Sequence, residues 1–281
     1  MTDYSWMLQG IVDSVPQSRH LVLLSADGIP QGATQGLDER SMTGIAATMA
    51  GMQSLSRATG LIVGPQDDHE WKQTLIEFDH GLVLVLAAGE GSYLAAAAGP
   101  DVDMQAITFS MQQLVTRLGK ELTAPPRTDP QVPRARGGAG QGDRQGAWGR
   151  VPVLAPLNDI IRSVPRATRA ILVRSDGLPD GVSDGMDPDI TDKFAAAMLG
   201  LQGLSKATAP FAGPHTVPRL RQTVVEFSHG WLVSIATGDG GCLAAAAEPS
   251  GDLAELAGRM HDLVYAMTRD ATAGHETARR Q

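Results

Sequence analysis

Apolar positions recur along the chain with two different periods. Leu8, Ile11, Val12 and Val15 follow i, i+3, i+4, i+7 spacing, which predicts one face of a helix that Pro16 stops. An apolar run from Leu21 to Leu24 predicts a strand. Asp27-Gly28 then marks a hairpin turn, with a short second strand near Ile29 to Gln35. A long helix is expected from about Glu39 to Thr59, with Ile45, Met49, Met52 and Ser56 on one face. Gln73 to Phe78 alternates, placing Thr74, Ile76 and Phe78 opposite Gln73, Leu75 and Glu77, as in a half-exposed strand. Leu82 to Ala88 is apolar throughout and predicts a central strand. Tyr93 to Ala98 is rich in alanine, so something packs closely on it. A last helix carries Met104, Ile107, Met111, Leu114, Val115 and Leu118.

The same pattern then runs a second time. An offset of 149 residues relates Asp27-Gly28 to Asp176-Gly177, EFDHG from Glu77 to EFSHG from Glu226, and Leu94 with its four alanines to Leu243 with its four. No gap is needed from about Leu8 to Arg117. Two head-to-tail copies of one domain follow, spanning 1–123 and 151–275. Residues 124–150 read as a disordered Pro/Gly/Arg linker, without hydrophobic period, whose span of roughly 30 Å lets the halves lie side by side. Each copy orders as α-β-β-α-β-β-β-α. That makes it an α/β domain of the α+β type, a five-stranded antiparallel sheet with helices on both faces.

Composition narrows the function. Residues 1–123 carry 6 basic and 14 acidic groups, the linker 5 and 2, and residues 151–281 carry 12 and 15. Neither half has the basic excess that nucleic acid demands. No apolar run is long enough for membrane insertion, and no signal segment is read at the N-terminus. With the single cysteine, Cys242, this points to a cytoplasmic protein. Phosphate-loop, nucleophile-elbow and zinc-helix motifs are absent, so neither a cofactor nor an enzymatic activity is expected. Asp67, Asp68, His69 and Glu70 resemble a metal cluster, but their twins Thr216, Val217, Pro218 and Arg219 cannot hold a cation, and a solvated loop is the better reading. His80 and His229 occupy matching turns, and Cys242 reads as a packed thiol. Trp148, at the linker's end, either docks on a domain or belongs simply to the linker.

One stripe asks for compensation. Ala47, Gly51, Ser54 and Ala58 lie at spacings of 4, 3 and 4, with twins Ala196, Gly200, Gly203 and Ala207. A helical glycine costs about 1 kcal/mol against alanine, which close backbone approach would offset. The stripe faces either the other half or its own sheet.

The element order, the early Asp-Gly hairpin, and the QTLIEFDHG and QTVVEFSHG strands together resemble the Roadblock/dynein light chain superfamily, and most closely its bacterial members. The resemblance covers about 115 residues of each half. It implies pairing through the long second helix and the third strand, giving one continuous sheet. On this chain that assigns Ala47, Gly51, Ser54, Ala58, Ala196, Gly200, Gly203 and Ala207 to domain pairing, with Ala47, Gly51 and Ser54 crossing near Ala196, Gly200 and Gly203. It assigns Gln73, Glu77, Gln222 and Glu226 to strand-edge pairing. The expected unit is an intramolecular pseudo-dimer, with a higher homo-oligomer left open. Members of the MglB type act on Ras-like small GTPases, and many are encoded beside a sensor kinase. The implied function is therefore non-enzymatic regulation of a small GTPase. The alternative is a scaffold organising a signalling complex without touching GTP turnover. Most bacterial members have one domain, so the second copy is a departure.

Overall fold

A computed structural model describes residues 4–25, 27–64, 70–89, 92–118, 151–214 and 216–278. The first half runs α1 (Ser5–Ser14), β1 (Ser18–Ser25), β2 (Pro30–Ala33), α2 (Glu39–Ala58), a 3₁₀ turn (Thr59–Ile62), β3 (Trp71–Phe78), β4 (Gly81–Ala87), β5 (Ser92–Ala98) and α3 (Met104–Leu118). The second runs α4 (Ala155–Ser163), β6 (Ala167–Val173), β7 (Pro179–Val182), α5 (Pro188–Ala207), the one-turn α6 (Ala209–Ala212), β8 (Leu220–Phe227), β9 (Gly230–Ala236), β10 (Cys242–Ala247) and α7 (Leu253–Ala278). The linker, with Trp148, lies outside the described residues, as do Asp67, Asp68 and His69.

Local chemistry fixes the boundaries. After α1 the chain reverses at Gln17, and after α4 at Arg166, both in the left-handed region at φ 68° and 66°. Asp103 caps α3, its carboxylate accepting from the amides of Gln105 and Ala106 at 2.9 and 3.0 Å. Asp187 accepts from Asp189 in the same way, and Pro188 begins α5. Gly28 turns at φ +73°, and an added Cβ there would stand 3.0 Å from that of Ala50. The hairpin therefore sits directly against α2.

The strands form one sheet of ten, ordered β2-β1-β5-β4-β3-β8-β9-β10-β6-β7, with every neighbouring pair antiparallel. Each half supplies five strands, and β3 joins β8 at the centre. The strands expected to be half-exposed are thus the two that meet, each giving its free edge to the other.

Three cores follow from strand alternation. On one face, α1 and α3 cover Leu21, Leu23, Leu84 and Leu94, while α4 and α7 cover Ala170, Val233, Ile235 and Leu243. On the other face a single core runs through both halves, taking in Met49, Met52, Ile76 and Phe78 with Phe194, Met198, Val225 and Phe227. Strand β5 contributes Ala95 and Ala97 to the shared core and Ala96 and Ala98 to the outer one. Sandwiched between two helix layers, these four positions have room for little beyond methyl groups.

Candidate functional site: the junction of the two repeats

The junction is built first along β3 and β8. Gln73 lies opposite Glu226, Leu75 opposite Val224, and Glu77 opposite Gln222. The Gln73 amide donates to the Glu226 carboxylate at 2.5 Å, and the Gln222 amide donates to Glu77 at 2.9 Å. Lys72 lies 3.7 Å from the same Glu226. The four residues thus form two reciprocal pairs about a pseudo-two-fold axis. The backbone extends the seam at both ends, through Ser228 N–H to the Glu70 carbonyl and Asp79 N–H to the Arg219 carbonyl. Beneath it, Ser56 and Thr74 hydroxyls meet at 3.0 Å, and Thr223 donates to Ser205 at 3.1 Å. These satisfy polar groups inside the shared core.

Helices α2 and α5 pack over the seam. Of the eight small residues, only Gly51 and Gly200 lie at the contact, and each receives a leucine of the other half. A Cβ on Gly51 would stand 2.9 Å from Leu204 Cδ1, and one on Gly200 would stand 2.9 Å from Leu55 Cδ1. Ala47, Ser54, Ala58, Ala196, Gly203 and Ala207 are exposed. The expected small-on-small crossing is therefore corrected to a knob entering a notch, made twice. Leu55 and Leu204 are twins under the 149-residue offset, each four residues past its glycine, on the same helix face. That spacing was the available signal.

Beyond the crossing each half reaches over the other. The 3₁₀ turn of the first half packs on β9, and α6 packs on β4 and β5. Arg19 donates to the Ala212 carbonyl and, at 3.3 Å, to that of His80; Arg169 donates to the Ile62 carbonyl at 3.0 Å. Glycine at the start of β4 permits this approach, since a Cβ on Gly81 would meet the Ala98 oxygen at 2.5 Å and the Ala212 oxygen at 3.0 Å. The arginines are not twins, so comparing the repeats does not reveal them.

The titratable groups offer little for catalysis. His80 lies with its Nε2 3.4 Å from the Ala209 carbonyl, in the turn expected for it, and His229 is exposed. Burial pushes the Cys242 thiol up to about 11 and the Tyr93 hydroxyl up to about 12, the latter aided by Asp27. Burial lowers His20, as does neighbouring Arg19, against a hydrogen bond to the Gln35 backbone. Among the described residues no three His, Cys, Asp or Glu side chains are grouped to hold a metal, and no described helix is long and apolar enough to cross a membrane.

A duplicated α/β unit whose third strands and second helices pair within one chain is the class of fold defined here. The Roadblock/LC7 domain model matches residues 4–98 and again 157–247. The chain belongs to the Roadblock/LC7 domain family and carries the domain twice. Among solved structures it is similar to a Roadblock/LC7 domain from Streptomyces avermitilis, 34% identical over 44% of this chain and 100% of that one, with a TM-score of 0.40. It is also similar to MglB from Myxococcus xanthus, at 11% identity over 42% and 92% with a TM-score of 0.34. MglC from the same organism matches at 14% over 42% and 98%, with a TM-score of 0.30. No curated protein matches the chain.

Proposed function

We propose that the chain is a non-enzymatic regulator that binds a Ras-like small GTPase and modulates its activity, as a paired Roadblock unit fused into one polypeptide. The observation that carries this reading is the junction itself. A continuous β3–β8 seam under crossed α2 and α5 gives one chain the two-domain unit through which, by the resemblance, MglB-type members act on small GTPases. Such a regulator works by positioning the GTPase's own switch residues, which suits a junction made of packing and amide–carboxylate hydrogen-bond pairs. A sensor-kinase-linked complex is the setting we assign to it.

The test is GTP turnover by a Ras-like GTPase of the source cell, with and without this protein, alongside calorimetry. Because the halves have diverged, the expected stoichiometry is one GTPase per chain, with altered turnover. Two equivalent sites would refute the one-sided arrangement. Binding without any change in turnover would make the protein a scaffold, and no binding to any such GTPase would remove the proposal.

A further inference from the structure

Among the described residues, the second half begins with a single bridge at the edge of the sheet. Val153 lies parallel to Val182 of β7. The Leu154 amide donates to the Val182 carbonyl and the Val182 amide to that of Pro152, both at 3.0 Å. Pro152 has no N–H with which to carry the ladder further upstream, so the edge releases the chain there. Val151 packs instead against the shared core, as does Met186 from the loop after β7.

A cleft of about 780 Å³ opens beside these residues, within the range of about 300–1,000 Å³ for ligand pockets. Val151, Val153 and Met186 give it apolar walls, joined by Pro188 from the start of α5. The exposed carboxylates of Asp184 and Asp192 line it too. Val153 is 54% exposed, an apolar wall that no described residue covers.

The chain supplies its own occupant. Trp148 precedes Val151 by three residues, at most about 10 Å of extended backbone, so its indole stays within reach of the cleft. It is the one aromatic residue between Leu118 and Val151. An indole buries about 150–250 Å² of surface, and so short a tether holds it at a local concentration on the order of millimolar. Gly149 lets the backbone turn between the two. Charge favours the same contact. Arg144 and Arg150 flank Trp148 in a linker of five arginines and two aspartates, and the cleft offers two carboxylates.

We propose that the Trp148 side chain docks in this cleft, against Val153 and Met186, and anchors the C-terminal end of the linker to the second half beside the start of α5. The anchored linker joins the halves through fewer free residues, which raises the local concentration of each for the other. This contact stands independently of the GTPase reading.

The test uses the full chain labelled with fluorotryptophan and followed by fluorine NMR, each signal assigned by its Trp→Phe variant. The Trp148 signal should be displaced from its position in the denatured chain. Its solvent isotope shift should be less than half that of Trp6, which is 72% exposed. Val153→Asp, which sets a carboxylate on the apolar wall, should return the Trp148 signal to its denatured position. The signals of Trp71 and Trp231 should stay in place, showing that the fold is kept. Limited trypsin digestion gives a second measurement. Cleavage after Arg150 should be at least tenfold slower than after Arg144, and Trp148→Gly should raise the rate after Arg150 at least fivefold without changing that after Arg136. A Trp148 signal at its denatured position in the parent chain, a displaced signal untouched by Val153→Asp, or cleavage after Arg150 indifferent to Trp148→Gly would each overturn the proposal.

Discussion

Consider replacing Gly51 by leucine. The Cβ alone would lie 2.9 Å from Leu204 Cδ1, inside the roughly 3.5–4.0 Å at which carbon atoms attract. The far end of Leu204 can swing aside for one methyl, so Gly51→Ala should change stability by under about 0.5 kcal/mol once its helix propensity is counted. The three further carbons of leucine compete for the notch itself. Overpacking of this kind costs about 1–3 kcal/mol, and we expect Gly51→Leu to lose about 2 kcal/mol. Leu204→Ala empties the notch and should lose about 2 kcal/mol, the low end for leucine truncation because Leu204 is half-buried. The double variant Gly51→Leu, Leu204→Ala moves the knob to the other helix and keeps the volume. Independent sites would sum to about 4 kcal/mol; residues in contact should couple by about 2 kcal/mol, leaving the double variant no worse than either single one. Urea unfolding followed by circular dichroism measures all four proteins. Additivity within about 0.5 kcal/mol would refute the knob-and-notch account. The cycle at Gly200 and Leu55 should repeat the result.

Other expectations follow from the same contacts. The shared core should make both halves unfold in one transition, so tryptophan fluorescence and circular dichroism should coincide; two separated midpoints would show that the halves are thermodynamically separate. Tyr93 buries its hydroxyl without a partner, so Tyr93→Phe should stabilise by about 1 kcal/mol at neutral pH. Its hydroxyl titrates near 12 when folded against 10.0 ordinarily, so the folded state holds the proton longer. Its contribution is complete below about pH 10 and is lost as pH rises through about 12, and the phenylalanine variant should show a shallower alkaline decline. Glu226→Ala should cost about 1 kcal/mol by stranding the Gln73 amide, and Glu226→Gln less, because its carbonyl still accepts. Equal losses in thermal melts would argue that the seam pair contributes only through packing.

Much of this architecture was legible in the chain because the repeat supplied every element twice. The alternation of Gln73 to Phe78 marked a strand with one polar face, and the all-apolar Leu82 to Ala88 marked one covered on both. What pattern cannot show is which atoms of two packed helices touch. The eight small residues shared a spacing, yet only Gly51 and Gly200 sit at the crossing, and the side chains that fill them are leucines with no compositional mark. Arg19 and Arg169 were silent for another reason: an arginine reaching a backbone carbonyl leaves no trace in the acceptor's sequence.

The continuous seam between β3 and β8 has a consequence for inheritance. In a homodimer every substitution is written into both copies at once, so a change that improves one surface is imposed on its mirror image. Here the two faces of the unit are encoded separately. Dilution cannot part them, because each half is a permanent neighbour at a concentration set by the tether. The glycine at 44 and the lysine at 193, or the histidine at 20 and the arginine at 169, are therefore independent letters, and selection can edit one side of the molecule while leaving the hinge of its symmetry untouched.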